Sequence, residues 1–190
     1  WLTKDALNVL LSYLDKRHIG LEFGSGRSTL WFARRVGALT SVEHDPLWYR
    51  KVSARLEANG ITNVSYILAA YNENNGAPRH SKASYVGVLE RFENESLDWV
   101  LVDGLYRDEC AVGSIERLRA GGIIVVDDVH RYLPSKSVAP YSRKPAEGAG
   151  SATWGEFLKM VTGWRFVLTS NGVKDTGIWV KPDAEDVLEP

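Results

Sequence analysis

The chain has 190 residues, 44% of them hydrophobic, with 23 Lys and Arg against 24 Asp and Glu and a formal net charge of −1. This length and apolar content make one globular domain over 1–190 with a core of its own, and 25% charged with 11% aromatic residues excludes a disordered chain. Near-neutral charge argues against nucleic acid as the main partner, and no apolar run reaches the roughly 18 residues that a membrane-spanning helix needs. The lone Cys110 rules out an intrachain disulfide and a cysteine metal cluster, which fits a reducing compartment and makes a cytoplasmic location the expectation. The sequence begins at Trp1 rather than Met, so a processed upstream segment stays open.

In chain order, Thr3 to Lys16 sets Leu7, Leu10, Leu11 and Leu14 at helical spacing behind a Thr3 cap, with Asp5 in the first turn. Ile19 to Phe23 is a short apolar strand, broken by Gly24-Ser25-Gly26 and followed by a helix from Ser28 to Val36. A second strand, Leu39 to Val42, ends in Glu43. Pro46 opens a helix that Asn59-Gly60 closes, Asn63 to Leu68 is a third strand, and Tyr85 to Phe92 a short helix. Leu97 to Val102, almost wholly apolar as a buried parallel strand is, ends in Asp103-Gly104. Arg107 to Arg119 reads as helix, Gly121-Gly122 as a turn, and Ile123 to Val126 as a fifth strand ending in Asp127-Asp128. After a last helix over Ser151 to Thr162, Trp164 to Thr169 and Gly177 to Lys181 flank Ser170-Asn171-Gly172 as a β-hairpin. The fold class is therefore α/β, a doubly wound and mostly parallel seven-stranded sheet with an antiparallel C-terminal hairpin.

The turn at Gly24 to Gly26 admits close backbone approach, and the helix after it begins with unpaired N–H groups at its positive end. Such a turn receives the polar part of a nucleotide-like ligand, and Glu43, roughly 20 residues past the first glycine, is placed to accept from ribose hydroxyls. Two features separate this turn from a dinucleotide fingerprint. Thr29 stands where that fingerprint needs Gly or Ala, and Glu22 at the strand end repels pyrophosphate but suits a cation.

The Glu22-Phe23-Gly24-Ser25-Gly26 segment resembles motif I of the class I S-adenosylmethionine (SAM) dependent methyltransferases. The five β-α units and terminal hairpin also resemble that family over nearly the whole chain. The resemblance implies a cofactor site of Glu22, Gly24, Ser25, Gly26, Ser28, Glu43, His44, Ala70 and Asp103, with the adenine held near Ala69 to Tyr71. Asp103 at one strand tip and Asp127-Asp128 at another would repel one another if left uncompensated, and a hard divalent cation such as Mg²⁺ would resolve this. In these three carboxylates the sequence resembles metal-dependent O-methyltransferases of the catechol and macrocin type. That resemblance implies Asp103, Asp127 and Asp128 as metal ligands and O-methylation of a small molecule. The alternative is an Asp103 that caps a helix or binds the methionine amino group, with Asp127-Asp128 forming a turn.

Methyl transfer needs a deprotonated nucleophile in line with the methyl group. The catalytic candidates are Asp103 and His130, the latter as general base, with Lys82 and His80 behind them. The loops 70–84 and 132–150 open at the carboxyl edge of the sheet and carry Arg79, His80, Lys82, Lys136, Arg143 and Lys144. They read as lids for an anionic acceptor, or as solvated charges. Trp31, Phe32 and Trp48 read as packing residues. An NAD(P)-dependent oxidoreductase and a non-catalytic binding module are the competing functions, the acceptor is not legible, and homo-oligomerisation stays open.

Overall fold

In the computed structural model, residues 1–69 and 82–183 are described. Helix α1 (Lys4–Tyr13) begins where expected, with the Thr3 side chain accepting from the Ala6 amide. The strands follow as β1 (Ile19–Phe23), β2 (Ala38–Glu43), β3 (Val64–Leu68), β4 (Leu97–Val102), β5 (Leu118–Asp127), β6 (Arg165–Ser170) and β7 (Asp175–Val180). Between them lie α2 (Arg27–Ala33), α3 (Pro46–Ala58), α4 (Lys82–Val86), α5 (Arg107–Ser114) and α6 (Ala152–Met160). One sheet carries all seven strands in the order β3-β2-β1-β4-β5-β7-β6, parallel through β5, with β7 antiparallel to both β5 and β6. The expected fold class is the observed one.

Alternation along the central strands feeds two cores, one on each face of the sheet. Leu21, Phe23, Val100, Val102, Ile124, Val126 and Trp179 face one side. Leu39, Trp99, Leu101, Ile123, Val125 and Ile178 face the other, with Phe32 stacked on Trp99 at 4.3 Å between ring centres. The strands in the middle of the sheet are therefore buried on both faces, which fixes their C-terminal ends as a rigid rim.

Three elements differ from the expectation. Gly121-Gly122 does not reverse the chain; β5 runs through it, and pairing jumps from Leu97↔Leu118 to Trp99↔Ile123. A bulge absorbs the extra residues there, at a point where a Cβ on Gly122 would lie 2.8 Å from the Arg119 carbonyl. Helix α5 accordingly stops at Ser114 rather than Arg119. The expected helix over Tyr85 to Phe92 is split into α4 and a 3₁₀ turn over Gly87–Arg91.

The β6–β7 hairpin turns through 171–174, where the Asn171 side chain accepts from the amides of Val173 and Lys174. Because β7 runs antiparallel to β5, its first residues lie beside the last residue of β5, with Asp127 paired to Thr176. The hairpin tip thus reaches the same rim as the ends of the parallel strands. Strand β6 forms the sheet edge and leaves Phe166, Val167 and Leu168 exposed. Among the described residues, no helix is long and apolar enough to cross a membrane.

Candidate active site

The rim is drawn together where β1 and β4 end. Gly24 has φ +92°, and a Cβ there would sit 2.8 Å from the backbone of Asp103 and Gly104. Across the gap, a Cβ on Gly104 would fall 1.9 Å from the Tyr85 hydroxyl and 2.9 Å from the Gly24 nitrogen. Only glycine permits this backbone-to-backbone approach, which sets the turn after β1 directly against Asp103.

Glu22 lies beneath the turn, fully buried, and lines neither of the clefts described below. Its Oε2 accepts from the Thr29 and Ser41 hydroxyls, each at 2.6 Å, and Thr29 Oγ1 in turn accepts from the Gly26 amide at 2.9 Å. Thr29, the residue that departs from the dinucleotide pattern, is thus the link by which Glu22 holds the turn. Burial raises the Glu22 carboxyl to about 7 against the pull of the Ser28, Ser41 and Thr29 hydroxyls.

Glu43 is buried at the tip of β2 and is held by dipoles. Its Oε2 accepts from the Ser25 amide at 3.2 Å and the Ser25 hydroxyl at 2.7 Å. Its Oε1 accepts from the amides of His44 and Asp45, at 2.7 and 2.9 Å, and lies 2.9 Å from His44 Nδ1. The Ser25 hydroxyl also contacts the Tyr66 hydroxyl at 2.6 Å. Gly24, Ser25, Glu43, His44, Asp45, Trp48, Asp103 and Gly104 line a cleft of about 350 Å³.

A second cleft of about 400 Å³ is lined by Trp1, Ser25, Gly26, Arg27, Ser28, Trp48, Arg55, Asp103, Asp127 and Lys174. The clefts share Ser25, Trp48 and Asp103. Trp48, which sequence reasoning set aside as packing, lies between them and donates from Nε1 to the Ser25 carbonyl at 2.8 Å. The available signal was its position, in the first turn of the helix after the β2 tip.

Asp103, Asp127 and Asp128 do meet at the rim, each with a cation of the chain beside it. Asp127 is almost fully buried, with Oδ2 bound to Lys174 Nζ and Oδ1 accepting from Thr176 Oγ1 at 2.9 Å. Lys174 Nζ lies 3.5 Å from Asp128 Oδ1. Arg107 donates to Asp103 Oδ1 at 3.0 Å and to the backbone carbonyls of Asp103, Gly104 and Asp127, and sits 3.9 Å from Asp128 Oδ2. Two side-chain cations therefore occupy the space among the carboxylates. Among the described residues, no group of three His, Cys, Asp or Glu side chains is arranged to hold a metal ion.

Burial, then the charge of Asp127, pushes the Asp103 carboxyl up to about 6, with Arg107 and Lys174 pulling the other way. Burial works against the Lys174 charge, yet the Asp127 bond and both neighbouring carboxylates hold its pKa above the usual lysine value. Tyr106 and Asp128, which follow the tips of β4 and β5, take left-handed backbone at φ 47° and 53°, a conformation uncommon outside glycine that turns the chain sharply at this rim.

His130, expected as general base, has a different place. It is buried, its Nδ1 accepts from the Asp175 amide at 3.1 Å, and it lines an apolar cavity of about 200 Å³ with Leu133, Trp164, Leu168 and Trp179 rather than either cleft at the rim. Lys82 pairs with Glu109. Ala70, Tyr71, Arg79 and His80 fall outside the described residues.

Comparison with known proteins adds the family. The profile of a family described as "Methyltransferase domain" matches residues 21–129, from β1 to just past Asp127-Asp128. The chain belongs to this methyltransferase family. No curated protein matches it. Among solved structures, the domain is similar to a methyltransferase-like protein from Silicibacter pomeroyi, with 22% identity, a TM-score of 0.62, and 96% of this chain and 88% of that one covered. It is also similar to an rRNA methylase from Streptococcus thermophilus, with 16% identity, a TM-score of 0.58, and 94% and 95% covered. A Streptococcus mutans protein, assigned as a methyltransferase and solved with SAH, shows 14% identity, a TM-score of 0.62, and 94% and 96% covered. At these identities the likeness is one of fold. The methyltransferase match ends before the β6–β7 hairpin, so Lys174, which neutralises Asp127, lies beyond it.

Proposed function

We propose that this chain is a SAM-dependent methyltransferase that methylates an oxygen of a small anionic molecule. The observation that carries the reading is the joining of the Gly24–Gly26 turn, Glu43 and Asp103 around one cleft, with a second cleft opening from it at Ser25 and Asp103. The first cleft fits the nucleoside. Ribose hydroxyls would take the place on Glu43 Oε2 that the Ser25 hydroxyl now holds, while His44 and Trp48 border the base.

Charge supports the same assignment. Asp103, Asp127 and Asp128 against Arg107 and Lys174 leave one negative charge at the rim, complementary to the sulfonium of SAM and lost in value once the methyl has left. The acceptor belongs in the second cleft, whose Arg27, Arg55 and Lys174 suit an anion. There the acceptor oxygen directs a lone pair to the methyl carbon, the C–S bond breaks with its electrons kept by sulfur, and neutral S-adenosylhomocysteine is left. We assign the hydroxyl proton to the Asp103 carboxylate, since Asp103 faces both clefts. A metal takes no part in this reading, because cations of the chain already bind the carboxylates that would hold it.

Calorimetric titration with S-adenosylhomocysteine, with NAD as control ligand, tests the proposal. Micromolar binding of the first and none of the second is expected; binding of NAD alone would replace the methyltransferase by an oxidoreductase. Transfer of labelled methyl from SAM to a panel of hydroxylated acids would then define the acceptor.

A further inference from the structure

The acidic rim poses a question that its sequence does not. Three carboxylates on the tips of β4 and β5 have the donor chemistry of a divalent-metal site, yet each already has a cation of the chain beside it. Asp127 has no side-chain oxygen left over: Lys174 holds one and Thr176 the other. The Asp128 oxygens lie 3.5 Å from Lys174 Nζ and 3.9 Å from Arg107, and Asp103 is bound by Arg107 at 3.0 Å. A divalent ion among these oxygens would sit against an ammonium and a guanidinium.

Lys174 is also fixed from both sides. Its own amide is taken by Asn171, the Asp175 amide is bound to His130, and the Thr176 hydroxyl is bound to Asp127. These contacts hold the backbone that carries the ammonium against the rim. Lys174 lines the second cleft beside Asp103, so its charge faces the space assigned to the acceptor.

We propose that Lys174 is a resident cation that takes the place of a divalent metal on Asp127 and Asp128, making this a methyltransferase site that excludes metal rather than one awaiting it. The geometry stands by itself; its catalytic meaning rests on the reading given under the proposed function. In this arrangement the positive charge on the acceptor side is supplied by the chain and does not depend on ion concentration. A lysine ammonium is a point charge on a flexible stem, so it serves here only because its neighbours are pinned.

The test uses Mn²⁺ as the probe. The purified full chain and the variants Lys174→Met and Lys174→Arg are titrated with Mn²⁺, followed by the electron paramagnetic resonance signal of the free ion, with S-adenosylhomocysteine calorimetry on the same samples. Wild type is expected to leave Mn²⁺ free at millimolar concentration, Lys174→Met to gain at least tenfold in Mn²⁺ affinity, and Lys174→Arg to gain none. Submillimolar Mn²⁺ binding by wild type that Asp127→Asn abolishes would overturn the proposal, as would a folded Lys174→Met that gains nothing. Should Lys174→Met fail to fold, Lys174→Gln takes its place under the same criteria, and the wild-type titration decides by itself in either case. Mn²⁺ exclusion without S-adenosylhomocysteine binding would sink the cofactor reading and leave the cation assignment standing; the opposite pair of results would do the reverse.

Discussion

The rim of this sheet buries carboxylates in two ways. On the cofactor side, Glu22 and Glu43 are held by hydroxyls, amides and the His44 ring, with neither lysine nor arginine among their hydrogen-bond partners. On the acidic side, Asp103 and Asp127 are held by Arg107 and Lys174. Hydroxyl and amide donors around Glu43 can be exchanged for those of a ligand, whereas a side-chain cation competes with any other cation for the oxygens. The first arrangement suits a site that accepts hydrogen bonds from a ligand's hydroxyls. The second suits one that must keep metal out.

The contrast breaks most severely where the two sides touch. Gly24→Val puts a branched side chain at φ +92° and 2.8 Å from the Asp103 backbone, and a cost of about 3 kcal/mol or more is expected, a fall of roughly 10 °C in Tm with loss of S-adenosylhomocysteine binding. An unchanged melting curve would show that the two tips can part freely.

On the acidic side alone, Lys174→Met leaves Asp127 buried without its cation, for a loss of about 2 to 3 kcal/mol in urea unfolding, discounted because the lysine is partly exposed. Equal stability would mean that Thr176 suffices for Asp127. On the cofactor side alone, Glu43→Gln keeps the shape but weakens acceptance from ribose, and S-adenosylhomocysteine affinity is expected to fall by about 1 to 2 kcal/mol, roughly five- to thirtyfold, with a smaller loss of Tm than Gly24→Val.

The most gradual effect is a pH slope. Burial raises Glu22 from 4.5 to about 7, so between those values the native state keeps a proton that the unfolded chain has released. Stability must then fall as pH rises through this window and level off above it. The expected change is about 2 kcal/mol between pH 5 and pH 8, and Glu22→Gln should remove it; a slope that persists in the variant would assign it elsewhere.

How far the site was legible follows the same division. The cofactor side is written in consecutive residues: strand, glycine turn, helix and the Glu43 tip fall between Ile19 and Asp45, and the elements of the structure follow them closely. Strand β4 matches its expected limits, because a run that must be buried on both faces has few alternatives. The acidic side depends on pairing across the sheet. Asp127 and Lys174 are 47 residues apart, and nothing near either one signals the other until β7 is set antiparallel to β5. The metal expectation gains no support for that reason, since the carboxylates were visible and their partners were not. The surroundings of His130 were hidden likewise, because its ring accepts from the amide of Asp175 on the returning strand. Trp48 was visible as a helical aromatic, but not as the residue that lies across the glycine turn.

The late position of the hairpin bears on how the protein is made. Synthesis runs from the amino terminus, so Asp103, Asp127 and Asp128 have all been translated while Lys174 and Thr176 are still to come. The same late strands bind Thr3, through Thr169 Oγ1 at 2.5 Å and Thr176 Oγ1 at 3.2 Å, which ties the first helix to the last two strands. A nascent chain that stops short of the hairpin has translated most of the glycine-turn site, yet it holds Asp127 without its counter-charge and α1 without its anchor. Completion of the last two strands is what covers the β5 edge and brings Lys174 and Thr176 to Asp127.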